Sequence, residues 1–171
     1  GELRRERVAD DPFLRETTQP DVSARLGEAY DARQPSSANA GELAASAAER
    51  ERALSEAFSR LVAGGVDIVL GTDAGALPGH FFGYTGHREL EIFVRLGMSP
   101  MQAIVAGTSR PAERLGLSEM GTLGAGKSAD FVILDESPLE DIRSTQTISQ
   151  VYLRGRVVDR EALRMRWTGG D

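Results

Sequence analysis

Val66-Asp67-Ile68-Val69-Leu70-Gly71-Thr72-Asp73-Ala74-Gly75 is the stretch on which the reading of the fold turns. Five mostly β-branched or aliphatic residues run between Gly64-Gly65 and Gly71. The run is too short for an ordinary helix and is punctuated at both ends, so it reads as a buried strand. Asp73 follows just past the end of that strand, flanked by glycines. In parallel α/β architectures, sites form where strands end at their carboxyl edge. A carboxylate there can ligate a metal and act as general base on a water. The same residue can also be a turn-forming aspartate that bonds nearby backbone amides. These residues alone leave both readings open.

Outward from that strand, the upstream segment from Glu42 to about Val62 is helical by pattern. Leu43, Ala47, Leu54, Phe58 and Leu61 recur at helical spacing, and Arg52–Glu56 and Glu56–Arg60 are i,i+4 pairs on another face. Downstream comes a Gly- and aromatic-rich loop from Ala76 to Gly86, then a helix from His87 to Leu96 burying Leu90, Phe93 and Val94. Ser99-Pro100-Met101-Gln102 has the form of a capping box with proline at the first helical position. A short helix is expected over Pro111 to Leu115, stopped by Gly116. The period then changes to two, with strands at Asp130–Leu134 and Ile148–Leu153. A tight Arg154-Gly155 turn leads on to Val158. The first forty residues read as irregular, punctuated by Asp10-Asp11-Pro12, Gln19-Pro20-Asp21 and Gln34-Pro35-Ser36-Ser37. Within them a short helix is expected from Val22 to about Tyr30, with Asp21 as its N-cap.

Composition narrows the function classes. Hydrophobic residues at 40% and charged residues at 27% are those of an ordinary soluble chain, and no apolar run reaches bilayer length. A net charge of −6 argues against nucleic acid and anionic membrane as partners. With no cysteine, disulfides and thiolate metal sites are excluded. Two histidines, His80 and His87, leave too few imidazoles for a three-histidine metal site from this chain alone. The start, Gly1-Glu2-Leu3-Arg4-Arg5-Glu6, carries neither an initiator methionine nor a signal peptide, so the chain reads as part of something longer. Its compartment, cytoplasmic or exported, stays open.

His80 can contact substrate or donate to a developing oxyanion, or it is an exposed loop residue. His87 reads equally as an ordinary first-turn helix residue. Glu89 and Glu91 complement the helix N-terminal dipole. Phe81, Phe82 and Tyr84 are loop anchors or pocket walls. Gly121-Thr122-Leu123-Gly124-Ala125-Gly126-Lys127-Ser128 matches the nucleotide-binding P-loop letter for letter, and Phe131 to Glu136 imitates its companion strand. A P-loop needs a strand before it and a helix after it, so that the helix N-terminus meets the phosphates. Here a helix precedes the glycines and a strand follows, so nucleotide binding is rejected for a glycine-rich turn.

Several stretches together resemble the metal-dependent amidohydrolases, in the branch with imidazolonepropionase-like and Xaa-Pro dipeptidase-like members. They are Val69 to Gly75, His87-Arg88-Glu89-Leu90-Glu91, Gly97 to Ile104, Gly121 to Leu134, Pro138 to Ile142 and Val151 to Gly155. The resemblance covers roughly Glu42 to Val158. It implies the C-terminal part of a (β/α)₈ barrel, with the eighth strand ending at Leu70, plus the C-terminal share of a small β-sandwich. The division expected is residues 1–41 as a barrel loop region, 42–116 as the end of the barrel, and 117–171 as sandwich segment and tail. Asp73 aligns with the family aspartate that ligates a divalent metal, expected to be zinc, and takes a proton from the hydrolytic water. His80 falls where some relatives place a substrate-contacting histidine. The family's His-x-His motif, its other metal-ligand histidines and the metal-bridging lysine or glutamate are absent; Lys127, in the sandwich segment, cannot stand in for that lysine. The implied activity is hydrolysis of C–N bonds in a small amide, cyclic amide or dipeptide-like substrate. The missing N-terminal barrel half, in the same or another chain, is the implied partner, and the chain alone is expected to be inactive and to hold no metal tightly. The alternative is a non-catalytic truncated or split subunit that completes a partner's barrel.

Overall fold

The structure, a computed structural model, describes residues 10–22, 24, 25, 28, 40–76 and 80–167. Helix α1 spans Pro12–Thr17 and α2 Ala40–Ala63; α3 (Thr85–Arg95), α4 (Pro100–Gly107) and α5 (Ser109–Arg114) follow the loop. Strand β1 (Phe131–Leu134), a 3₁₀ turn (Ile142–Gln146), β2 (Ile148–Leu153), β3 (Arg156–Val157) and α6 (Arg160–Trp167) complete the order.

The helical part is organised by its stops. Gly97 at φ 118° ends α3 in a conformation that disfavours a Cβ, and the chain re-enters helix at once through Ser99. Ser99 Oγ accepts from Gln102 N–H at 3.2 Å, and Gln102 Oε1 accepts from Ser99 N–H at 2.8 Å. This reciprocal capping box and Pro100 fix where α4 begins. The sharp α3–α4 corner brings Phe93, Leu96, Met98, Ala103 and Ala106 into one apolar cluster with Phe58 of α2. The Phe58 and Phe93 rings lie 5.6 Å apart. Ile142 of the 3₁₀ turn enters the same cluster and ties the β part to the helices.

The segment 66–70 departs from the expectation of a buried strand. It is extended but lies in no ladder among the described residues. Leu70 N–H donates to the Ala106 carbonyl at 2.9 Å, and Ile68 and Leu70 pack on the helical core. Val69 on the opposite side is 43% exposed and Val66 is 51% exposed. One face of the segment is covered by helices; neighbouring strands for its backbone are not among the described residues. The α2 stripe behaves likewise. Phe58 is buried as expected, but Leu54 and Leu61 are about half exposed. Of the expected ion pairs, Glu56–Arg60 stands at 3.8 Å.

The sheet is antiparallel with order β1-β2-β3, Phe131 opposite Tyr152 and their rings stacked at 4.5 Å. Arg154 and Gly155 both have positive φ, 52° and 74°, as a two-residue hairpin turn requires between right-twisted strands. Asp130 fastens this turn to β1. Its carboxylate accepts from Arg154 N–H at 2.6 Å and from Ser128 Oγ–H at 2.7 Å, and these bonds hold the carboxyl below its usual range. Val132 and Ile133, on opposite faces of β1, are both exposed. The second layer of a sandwich is not among the described residues.

Two short helices lie where the sequence pattern predicts none. Asp10-Asp11-Pro12, punctuation by its pattern, instead starts α1: Asp11 is its N-cap, accepting from Phe13 N–H at 2.9 Å, and Pro12 sits at the first helical position. Leu14 of α1 is fully buried. The stretch taken as tail contains α6, whose first turn donates Ala162 N–H to Asp159 Oδ1. The helix expected from Val22 to Tyr30 falls partly outside the described residues; Val22, Ala24, Arg25 and Glu28 are helical. Asp21 is itself helical rather than a cap, and its carboxylate pairs with Arg25 at 2.7 Å. Gln34 to Ser37, the Leu43 side chain and the Arg4-Arg5-Glu6-Arg7 cluster lie outside the described residues.

Candidate active site

Asp73 stands at the end of the extended segment with φ 47°, a left-handed conformation that a non-glycine residue adopts only when its surroundings hold it there. The restraints are local. Ala76 N–H donates to the Asp73 carbonyl at 3.0 Å, and Ala74 N–H to Thr72 Oγ1 at 3.2 Å. The Asp73 side chain is exposed. The alternative role, a carboxylate bonding nearby amides, falls in this structure to the Thr72 hydroxyl.

His80 returns to the same turn. Its Nδ1 is 2.6 Å from the Thr72 carbonyl, while its own carbonyl accepts from Gly75 N–H at 2.9 Å. Thus the structure brings His80 beside the Asp73 turn although it lies seven positions further along the chain. Glu89, on the first turns of α3, is a neighbour that sequence reasoning assigned only to the helix dipole. Burial raises its carboxyl above the usual range, and the nearby His80 imidazole opposes that rise.

His87 points elsewhere. Its Nδ1 is 3.0 Å from Thr145 Oγ1, and its ring and that of Phe13 form a T-shaped pair with centroids 4.9 Å apart. Burial lowers its pKa below the usual histidine value. It belongs to a clasp that the sequence reading missed: buried Tyr84 donates its phenol to Asp11 Oδ2 at 2.9 Å, and Glu91 accepts from Gln146 Nε2 and Arg88 Nη1, each at 2.8 Å. Tyr84 is a loop anchor, its phenol pushed well above the ordinary tyrosine pKa by burial and by Asp11. Phe82, by contrast, is 77% exposed.

Among the described residues, no three His, Cys, Asp or Glu side chains are grouped as a metal would require. Asp73 is one ligand candidate and not a site. The P-loop reading fails on geometry as well. Lys127 is exposed in a turn closed by its N–H on the Gly124 carbonyl, and Ser128 leads into β1 without a helix. Gly121, the motif's first glycine, presses on α5: a Cβ there would stand 2.6 Å from Ala112 Cβ and 2.9 Å from the Thr108 carbonyl oxygen.

The model of the amidohydrolase family matches residues 22–158, well over half of the chain. This chain belongs to the amidohydrolase family. The family's chains are similar over this region in several cases. The adenine deaminase of Clostridium perfringens is 43% identical over 75 residues, 43% of this chain and 12% of that protein. The imidazolonepropionase of Deinococcus radiodurans is 33% identical over 100 residues, 56% of this chain and 25% of that protein. Among solved structures, molinate hydrolase superposes with TM-score 0.59 at 35% identity, covering 63% of this chain and 27% of the other. A Xaa-Pro dipeptidase with bound methionine superposes with TM-score 0.55 at 30% identity, covering 61% and 25%. The chain therefore spans about a quarter or less of the relatives' lengths. These matches place it in the imidazolonepropionase-like and dipeptidase-like branch, whose fold is an α/β barrel. Among the described residues no helix is long and apolar enough to cross a membrane.

Proposed function

We propose that this chain carries one corner of an amidohydrolase active site that hydrolyses C–N bonds, and that Asp73 is the proton-handling residue of that corner. The observation that supports it is the exposed Asp73 carboxylate, held in a left-handed turn at the end of the extended segment 66–70. The names of the relatives, a deaminase, an imidazolonepropionase and a dipeptidase, agree on the bond class. A small amide, cyclic amide or dipeptide-like molecule is the substrate class. As a water oxygen bonds to the electrophilic carbon, the Asp73 carboxylate accepts the water proton. It then delivers that proton to the leaving nitrogen as the C–N bond breaks. His80, beside the same turn, is positioned to contact the substrate.

Members of the family are generally metal-dependent, but the described residues of this chain do not fit a metal on their own. In this reading Asp73 is one ligand, and the remaining ligands come from other polypeptide in the same or another chain. Residues 42–116 then form the end of the barrel and 117–171 part of the sandwich. Exposed Val66, Val69, Leu54 and Leu61 support the same view, since apolar side chains around an extended segment that no described strand pairs are what a neighbouring barrel strand and helix would cover. They equally support a second reading, a non-catalytic subunit that completes a partner's barrel. Asp73→Asn in the active enzyme separates the two. General-base catalysis predicts a fall in kcat of roughly 10²–10⁴-fold with folding unchanged. Wild-type-like turnover would remove Asp73 from the chemistry and leave the completing role.

A further inference from the structure

His80 is held through its ring Nδ1 and through its own carbonyl, and this says more than substrate contact requires. A carbonyl oxygen can only accept, so the 2.6 Å approach of Nδ1 to the Thr72 carbonyl places the imidazole hydrogen on Nδ1. The Thr72 carbonyl belongs to the peptide unit joining Thr72 to Asp73, and its orientation is coupled to the Asp73 φ of 47°. The His80 carbonyl at the same time accepts from Gly75 N–H, two residues beyond Asp73. His80 therefore grips the Asp73 turn on both sides. Its own footing is firm, because the next residue, Phe81, donates its N–H to Thr85 Oγ1 at 2.8 Å and accepts from Thr85 N–H at 3.0 Å, which locks the loop end to α3. Inside the turn, Gly75 has φ 83°, and a Cβ there would meet the Phe82 ring at 2.8 Å. The two described ends of the loop thus meet at the Asp73 turn.

We infer that His80 is a positioning residue for Asp73: its Nδ1–H on the Thr72 carbonyl and its carbonyl on Gly75 N–H hold the left-handed turn that presents the Asp73 carboxylate. The inference rests on the reading of Asp73 as the proton-handling residue, and it adds a consequence for the ring. With the hydrogen committed to Nδ1, the neutral imidazole keeps its lone pair on Nε2.

Only two histidines occur in the chain, so a long-range ¹H–¹⁵N spectrum of the histidine-labelled chain reads both tautomers, and the signal lost in His80→Asn identifies His80. The expected result is the Nδ1–H tautomer. In His80→Phe the amides of Gly75 and Ala76 exchange with solvent at least tenfold faster, while the Ala103 amide of α4 is unchanged. His80→Asn, whose side-chain N–H can reach the same carbonyl, recovers part of that protection. An Nε2–H tautomer, or unchanged Gly75 and Ala76 exchange in His80→Phe, overturns the clamp. In the active enzyme, His80→Phe lowers kcat with KM held and Asn restores part of it. A raised KM at unchanged kcat would reduce His80 to a substrate contact alone and overturn positioning. Full turnover by Asp73→Asn with the exchange results intact would instead locate the failure in the role of Asp73.

Discussion

Gly121→Ala is the substitution whose cost the structure fixes most closely. Gly121 has φ 80°, and an added Cβ would lie 2.6 Å from Ala112 Cβ, 2.9 Å from Ser109 Cα and 2.9 Å from the Thr108 carbonyl oxygen. Two of these three atoms are backbone of the α5 entry, so the neighbour cannot swing away as a flexible side chain would. The left-handed backbone alone costs a residue with a Cβ about 1–2 kcal/mol. Forcing a methyl group into a packed contact costs about 1–3 kcal/mol more. Together they amount to about 3 kcal/mol, which for a chain of this size corresponds to a fall in Tm of roughly 6–12 °C. Urea or thermal unfolding followed by circular dichroism measures it. Lys127→Ala is the matched control, since an exposed side chain in a turn is worth within about 0.5 kcal/mol. A loss below about 0.5 kcal/mol for Gly121→Ala would refute the packing account. So would stabilisation of the wild-type chain by ATP that Lys127→Ala abolishes, because it would return these residues to nucleotide binding.

Further outcomes follow from the clasp and the core. Tyr84→Phe removes a buried bond to Asp11 and costs about 1–2 kcal/mol in chemical unfolding. Because the folded state raises the Tyr84 pKa, wild-type stability is complete below the ordinary tyrosine value of about 10 and falls as pH rises beyond it, and Tyr84→Phe flattens that fall. His87 has the opposite sign. Its folded pKa is lowered by burial, so stability is complete above about pH 6.5 and declines as pH drops through the lowered value, and a stability profile of His87→Gln lacks that step. Ile142→Ala, at 6% exposure in the shared core, costs about 2–5 kcal/mol and loosens the β part and the helices in one transition; separate transitions would show that the two do not share a core.

What the sequence made legible was local. Ser99 to Gln102 announced a capping box because both partners lie within four residues, and Arg154-Gly155 announced a hairpin because its backbone requirement is carried by two adjacent residues. Glycine stops at Gly97 and Gly116 bounded α3 and α5 for the same reason. The failures were of reach. Val66 to Leu70 has strand composition, but a ladder depends on neighbours far away in sequence, and composition cannot supply them. Leu54 and Leu61 follow a helical apolar period, yet exposure depends on what covers the stripe. The bond between Tyr84 and Asp11 spans 73 residues, so neither residue signals the other. The α1 start is carried by an aspartate N-cap followed by proline, a pair that equally suits a turn, so its local signal does not separate the two. In the candidate site, Asp73 stood out by its place after an apolar run. Its relation to His80 did not, because the Thr72 carbonyl that joins them is backbone, which every residue carries.

The central claim is that this chain contributes a single carboxylate corner to a site completed elsewhere, and zinc titration of the chain by calorimetry tests it most directly. One carboxylate is far below the three or more protein ligands that a zinc site normally uses. The expected isotherm shows no stoichiometric tight binding, and Asp73→Asn leaves it unchanged. One tight site per chain, abolished by Asp73→Asn, would contradict the account and make the chain a metal centre in its own right.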